Sequence, residues 1–495
     1  MAAGIDAVTQ APHRKIGEVL ADLIQPTAQV LDLGRHRPSL APHRAGINHR
    51  THQPLGSARD QDYSHAVPAS ADVNGHLDRN YANLRSTFLE WTRLDAYDDR
   101  TDVIATYFDQ VNIGDTERLG AASVRTTRAR AGDEAPSVLM VGSHDTLALS
   151  PSDAIAPPGG SEELRGPGTG RLLGATMAFL EGFKATVMGG GTEPVNIQAI
   201  SVGPGDTAGA LIEAHVTEPV DVVVLTDSVC WSPELPTLTV GARGRIEASI
   251  TLSARRPIND AAYAGATLNP LNRLVDMVAG LRNDKGRIVL DEFYTRAQRP
   301  ERDALAPLAG TQWIEAIGGA LPSGSLPPID RATQWPVISV LDVHSKAATG
   351  STPASATARL AFYLVPDQRP VDVERSLRAW VQDNTPETLT SALRIESSAR
   401  PYRLQPDSAA RAAHTRALKK VTGRQPLAVP AGGAIGAGEI HYATAAPVLF
   451  AGISGPHQRW GSVNEGLAPE LLEQGVAVAA ELCAQLPRRS SLRST

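Results

Sequence analysis

The stretch Ser137-Val138-Leu139-Met140-Val141 runs into Gly142-Ser143-His144-Asp145-Thr146. A continuous apolar run closed by a small-residue and polar break predicts a strand covered on both faces. Two more segments of the same kind follow, Val195 to Val202 and Asp221 to Thr226. Helical spacing occupies the gaps, over Leu172 to Lys184 and Ala208 to Ala214. Strand, helix, strand, helix, strand predicts an α/β layer on a mixed, largely parallel sheet flanked by helices. Upstream, Leu84 to Asp95 and Thr101 to Gln110 predict helices, and Ala121 to Ala129 alternates as a strand.

Downstream the character changes. Gly244 to Leu252 and Thr357 to Val365 alternate strictly, with a helix predicted over Pro270 to Leu281. That pattern fits a smaller α+β domain whose sheet has one exposed face. Helices return over Ser408 to Val421 and Pro469 to Leu486, around the apolar Pro447 to Ala451. The expected partition is an irregular N-terminal extension (1–82), a catalytic-type α/β domain in two parts (83–242 and 403–488), an inserted α+β lid or dimerisation domain (243–402) and a tail (489–495). Within the extension, His13 to Ile24 has the spacing of one amphipathic helix, and residues 35–80 show no sustained period.

The bulk composition narrows the function classes. The chain has 495 residues, 42% hydrophobic but only 4% aromatic, so its core must be mostly Ala, Val, Leu and Ile. The 47 basic residues are outnumbered by 53 acidic ones, leaving a net charge of −6. No basic excess is available for phosphate contacts, which excludes nucleic acid as the main partner. Two cysteines, Cys230 and Cys483, supply neither a disulfide framework nor a thiolate metal site, and a cytoplasmic setting is expected. No apolar run of about 18 residues is present, so no membrane partner is expected. Met1 to Thr9 lacks the pattern of a signal peptide.

Ligands of parallel α/β sheets bind at the carboxyl ends of the strands. Three polar clusters fall at such ends: His144-Asp145, Gly205-Asp206 and Asp227. A His with carboxylates from separate strands can hold Zn²⁺. The same residue types also cap helices and close turns, and spacing alone favours that simpler role.

Further elements occur in a fixed order. Asp227 is followed by Pro236-Thr237-Leu238 and Gly241-Ala242-Arg243-Gly244. Asn269-Pro270 opens a helix, and Asp284-Lys285-Gly286-Arg287-Ile288 leads to Phe293-Tyr294. Leu364-Val365-Pro366-Asp367-Gln368, Gly432-Gly433-Ala434-Ile435 and Ser462-Val463-Asn464-Glu465 complete the series. In order and spacing, over about residues 84–488, the chain resembles the zinc metallopeptidase and amidohydrolase family of carnosinase, aminoacylase and succinyl-diaminopimelate desuccinylase. The resemblance implies two zinc ions bridged by a carboxylate, with a Glu as general base on the metal-bound water.

Carried onto this chain, that resemblance implies a degenerate site. The Gly-His-x-Asp element falls on Gly142 to Asp145, with Ser143 in the His position, or His144 if one residue is deleted. The bridging carboxylate falls on Thr169. The Glu-Glu pair falls on Gly205-Asp206, which removes the general base. The next metal carboxylate is Asp227, and the last His ligand is Gly461. The His contributed by the inserted domain falls on Asn259. Two Arg positions also depart, at Tyr363 and around Pro430-Ala431. Two close zinc ions carry four positive charges and need a shared anion, which Thr169 cannot supply.

These residues imply a chain that has lost two-zinc amide hydrolysis and is either a pseudoenzyme or reuses its cleft for an amino-acid- or peptide-like small molecule. Two alternatives stay open. One is an active amidohydrolase or dipeptidase with a remodelled, mononuclear site on His144, Asp206 and Asp227, with His457 as a further candidate. The other is a non-catalytic dimerisation partner. No cofactor is expected under the first reading, and zinc under the second. The residual catalytic candidate is Asp145, and Asn259, Thr169, Gly432, Gly433 and Asn464 are the expected cleft residues. Homodimerisation through the inserted domain is expected. Arg165-Gly166-Pro167-Gly168-Thr169-Gly170-Arg171 reads as a loop lining the cleft, because it lacks the Lys-Ser/Thr ending of a phosphate-binding loop. His344-Ser345-Lys346 reads as a solvated loop, and Cys230 as a buried thiol.

Overall fold

A computed structural model describes residues 73–91, 97–111, 114–145, 163–188, 193–231, 235–257, 260–298, 304–308, 326–347, 351–433, 436–455 and 458–492. The helix expected over His13 to Ile24 lies outside these residues, as do Asn259 and His457.

Two helices, α1 (Val73–Trp91) and α2 (Tyr97–Val111), precede the hairpin of β1 (Asp115–Leu119) and β2 (Ser123–Arg128). Next come β3 (Ser137–Ser143), the short β4 (Leu164–Arg165), and a π-helical turn over Thr169–Gly174 that continues into α3 (Ala175–Met188). β5 (Asn196–Val202), α4 (Ala208–His215) and β6 (Val222–Leu225) complete this part. Then follow β7 (Thr237–Ala242), β8 (Gly244–Ala254), α5 (Pro270–Gly280), α6 (Pro328–Thr333), β9 (Val337–Ser345), β10 (Ser355–Leu364), α7 (Pro370–Asp383), β11 (Leu389–Ala399) and β12 (Tyr402–Arg403). The chain ends through α8 (Ala409–Thr422), β13 (Leu427–Ala431), α9 (Ala437–Thr444), β14 (Val448–Phe450), β15 (Gly466–Leu467), α10 (Pro469–Gln485) and α11 (Arg489–Leu492).

The main sheet has the order β1-β2-β5-β3-β6-β14. β5, β3, β6 and β14 run parallel, and β2 joins β5 antiparallel. The strand that begins at Ser137 sits inside this sheet, with Val138 to Val141 almost wholly buried. The carboxyl ends of β3, β5 and β6 therefore place His144, Asp206 and Asp227 along one edge. A second, antiparallel sheet has the order β11-β8-β10-β9. Strict alternation in β8 buries Ile246, Ala248, Ile250 and Leu252 against Leu274 and Met277 of α5 and Leu377 of α7. A small sheet, β12-β7-β13, pairs β13 parallel and β12 antiparallel to β7.

α1 begins at Val73, so residues 73–82 are helical rather than irregular. Val73, Leu77, Leu84, Phe88 and Trp91 lie on one buried face, a helical spacing that the surrounding polar residues hide in the sequence. His76 on that face is turned inward to Glu181 of α3, 2.5 Å from Nε2 to Oε2. Tyr107 of α2 donates to the other carboxyl oxygen of Glu181 at 3.0 Å. Burial, reinforced by Glu181, pushes the Tyr107 hydroxyl well above its usual range. Three helices are thus joined by one buried polar network. Among the described residues, no helix is long and apolar enough to cross a membrane.

Candidate functional site

The three strand-end clusters do not point to one place. His144, at the end of β3, is 1% exposed. Its Nδ1 lies 2.8 Å from the Ser201 hydroxyl, and its Nε2 lies 2.9 Å from the Ala122 carbonyl and 3.3 Å from Thr101 Oγ1. Only Nε2 can donate to the carbonyl, so Nδ1 accepts from Ser201 and the ring is the neutral Nε2–H tautomer. Burial, reinforced by Arg100, lowers its pKa to about 4 against the opposing Ala122 hydrogen bond and Asp206 charge. Trp91 meets the ring edge-on at 6.4 Å and carries Arg100 at 5.5 Å. Both ring nitrogens are in use, so His144 is a packed core histidine.

Asp206, after β5, closes on the hairpin instead. Its oxygens accept from the Ala121 amide at 3.0 Å, the Ala122 amide at 3.1 Å and the Ser123 hydroxyl at 2.7 Å. Burial alone would raise this carboxyl, but these donors outweigh it and hold the pKa below its ordinary value. Asp206 is a clamp between the end of β5 and the β1–β2 turn.

Asp227, after β6, has a cation of its own. Arg171 Nε donates to Oδ1 at 2.6 Å and a terminal nitrogen donates to Oδ2 at 3.2 Å. The Arg171 guanidinium stands 5.5 Å from the centre of the Trp460 ring. Its charge is reinforced chiefly by Asp227, which raises its pKa. The π-helical turn sets this arrangement. Leu172 and Leu173 both donate to the Gly168 carbonyl, at 3.0 and 2.9 Å, and the widened turn carries Thr169 inward and Arg171 toward Asp227. Glu465, 1% exposed, fixes the turn by accepting from the Arg171 amide at 2.6 Å and the Gly461 amide at 3.2 Å. Burial raises the Glu465 pKa against the pull of those amides. The Thr169 hydroxyl is fully buried and, among the described residues, has no hydrogen-bond partner. The expected loop is therefore an ordered part of the site, and β4 pairs with β15 beside it.

The remaining expected residues are scattered. Asp145 is exposed, and its amide donates back to Ser143 Oγ at 3.1 Å. The Gly432 carbonyl accepts from Arg243 Nε at 2.6 Å, while Gly433 is exposed. Asn464 is half-buried beside Glu465. Gly205 and Gly461 stand where the resemblance expects a general base and a His ligand. Both have left-handed backbone, φ 84° and 71°, a shape that disfavours the missing side chains.

No family model matches the sequence. A stretch of 176 residues, 33% of this chain, is 25% identical to the "Probable di- and tripeptidase DUG2" of Saccharomyces cerevisiae. The match spans 19% of that protein, so the chain covers only a small part of the curated relative. Among solved structures, the M20 family metallo-carboxypeptidase Sso-CP2 of Sulfolobus solfataricus superposes with a TM-score of 0.70 at 17% identity. That superposition covers 83% of this chain and 99% of the other. This chain has the M20 metallopeptidase fold. Human carnosine dipeptidase 1 also shares that fold, with a TM-score of 0.67 at 16% identity over 85% of this chain and 99% of the other.

These neighbours correct one expectation. The chain was expected to take no cofactor, yet its fold is that of metallopeptidases, so metal is the cofactor the M20 fold implies. The side chains present do not fit a two-metal centre. His144 is spent on Ser201 and Ala122, Asp206 on the hairpin and Asp227 on Arg171, and the bridging position is a buried hydroxyl. Among the described residues, no three His, Cys, Asp or Glu side chains converge as a metal-binding group. His144, Asp206 and Asp227 therefore do not form the mononuclear set that their positions on one sheet edge suggested.

Sequence reasoning missed Arg171 as the partner of Asp227 and Glu465 as the clamp on its turn. Arg171 was visible only as the end of a glycine-rich stretch. Its partners lie 56 and 294 residues further on, beyond any local pattern.

Proposed function

We propose that this chain is a divergent M20-fold protein in which two-metal amide hydrolysis is disabled and the strand-end cleft binds an amino-acid- or peptide-like small molecule. The Arg171–Asp227 pair carries this reading: a carboxylate that the family resemblance assigns to metal is neutralised by the chain's own guanidinium. Thr169 in the bridging position and Gly205 in the general-base position support it. General-base help is worth ~10²–10⁴-fold, so its loss alone would slow hydrolysis severely. What the cleft retains suits recognition. A partly exposed guanidinium beside the Trp460 ring and the carboxylate it pairs with can meet the charged ends of a zwitterion.

The test is a cleavage assay on free dipeptides with protein pre-loaded with Zn²⁺. Cleavage at the uncatalysed background, with dipeptides still raising the thermal midpoint, is expected. Turnover that disappears in Asp227→Asn would sink the proposal. A cytoplasmic setting belongs to the same reading, in keeping with a chain of only two cysteines, Cys230 and Cys483. So does self-association through the second sheet, whose edge strand β9 exposes Leu341 and Val343. Sedimentation at several protein concentrations checks it.

A further inference from the structure

From Ser408 to Gly438 the chain carries Arg411, Arg416, Lys419, Lys420 and Arg424 and not one Asp or Glu. Leu482 to Leu492 adds Arg488 and Arg489, again without an acid. The whole chain has a net charge of −6, so these two segments run against its balance. The fold brings them together. Arg416 Nε donates to the Gln485 side chain at 3.0 Å and Lys420 lies 2.9 Å from Glu481, so α8 and α10 run antiparallel. The α10–α11 link is thereby laid beside α8. Ala410, Ala413, Ala417 and Val421 of α8 turn into the core, and Arg416, Lys419 and Lys420 are left exposed on the other side. Arg424 is exposed just past the end of α8, and Arg488 on the link.

Little of this charge is answered. Glu481 meets Lys420, Asp221 meets Arg489 at 3.0 Å, and both acids are buried. Among the described residues, no carboxylate is within ion-pair distance of Arg411, Arg416, Lys419 or Arg488. The antiparallel order sends Glu470 and Glu473 of α10 beyond the carboxyl end of α8. Asp407 and Glu134 border the other end, and the Glu134 carbonyl accepts from the Arg489 amide at 3.1 Å. A basic last turn complements the helix dipole, which accounts for Lys419 and Lys420 but not for Arg411, Arg416 or Arg488.

The shape of the face selects among anionic partners. α8 has 14 residues, a length of about 20 Å, and lies flat against α10. Among the described residues, none of the exposed large apolar side chains belongs to α8, α10 or α11. A protein partner would call for an apolar anchor near the centre. A nucleic-acid duplex would call for a helix that enters a groove, and a single strand for aromatic rings to stack on. A planar layer of anionic headgroups calls only for the row of cations.

We infer that the face formed by α8 and the α10–α11 link docks on an anionic lipid bilayer, held by charge alone. It does so independently of what the cleft binds. The lack of a spanning apolar run is no obstacle, since adsorption at a surface needs none.

The test is co-sedimentation of the full chain with phosphatidylcholine vesicles, plain or with about 30% phosphatidylglycerol, at low and high salt. Binding to the anionic vesicles alone is expected, and most of it should be lost at high salt. Arg416→Gln combined with Lys419→Gln should lower the partitioning about 25-fold, fivefold for each charge. Arg375→Gln combined with Arg394→Gln removes the same charge from exposed positions on α7 and β11, and should leave it within about twofold. Equal binding to plain vesicles, or an equal loss in both double variants, would overturn the assignment of this face. So would no binding to anionic vesicles at low salt. Tighter binding to a short DNA duplex or to polyglutamate than to the vesicles would overturn lipid as the partner. The lipid and salt comparisons use the unsubstituted protein, so they stand even if a variant fails to fold.

Discussion

The ends of β3 and β5 and the end of β6 carry similar residues to opposite ends. At the first, His144 is buried and Asp206 is partly exposed, yet both spend their polar atoms on the hairpin and its neighbours. At the second, Asp227 is also mostly buried but holds a side-chain cation that is partly open to solvent. A carboxylate at a parallel strand end is thus not one kind of thing. What distinguishes the two ends is whether the next loop supplies backbone donors or a side-chain cation.

That contrast can be broken first by Trp91→Ala. The ring is fully buried, donates to the Pro167 carbonyl and walls His144, so a loss of ~3–5 kcal/mol is expected by chemical denaturation. A loss below ~1 kcal/mol would show that the His144 end is not the rigid one. Next in size is the pH response. His144 and His414 both have pKa values near 4 in the fold, against about 6.5 unfolded. Between those values the unfolded chain binds more protons, so stability falls as pH is lowered through the window. His144→Gln should remove roughly 2–3 kcal/mol of that fall. An unchanged slope would mean that His144 does not stay neutral in the fold.

Asp206→Ala strands the Ala121 and Ala122 amides and the Ser123 hydroxyl, and should cost ~1–3 kcal/mol. Its stabilisation belongs to the charged form, so wild type and variant should converge as pH falls below the ordinary aspartate range. The smallest effect is expected at the other end. A double-mutant cycle on Arg171→Met and Asp227→Asn should give a coupling of about 1 kcal/mol, because the Arg171 side of the pair is partly open to solvent. A coupling of several kcal/mol would make it a structural brace and erase the contrast.

Much of the fold is legible from local pattern. The apolar runs at Val138, Ile197 and Val222 give the parallel strands, and the alternation from Gly244 gives the second sheet. α1 is the exception, because His76 and Asn80 disguise a buried helical face as polar sequence. The site is less legible. Spacing shows which residues reach the strand ends but not where they turn. Asp206 pairs 83 to 85 residues back along the chain, and Arg171 pairs 56 residues forward. Nothing local announces either. The left-handed backbone at Gly205 and Gly461 lies equally beyond reach, since a glycine in sequence declares permission and not conformation.

The His76–Glu181 contact has a practical consequence for anyone shortening the chain. A version beginning at Asn83, where clear helical periodicity starts, would delete the imidazole and leave the Glu181 carboxyl, among the described residues, with Tyr107 alone of its two side-chain partners. A buried acid short of a partner costs ~1–3 kcal/mol or more. A version that keeps the ten residues from Val73 onward restores the imidazole to Glu181 and should melt at the higher temperature of the two.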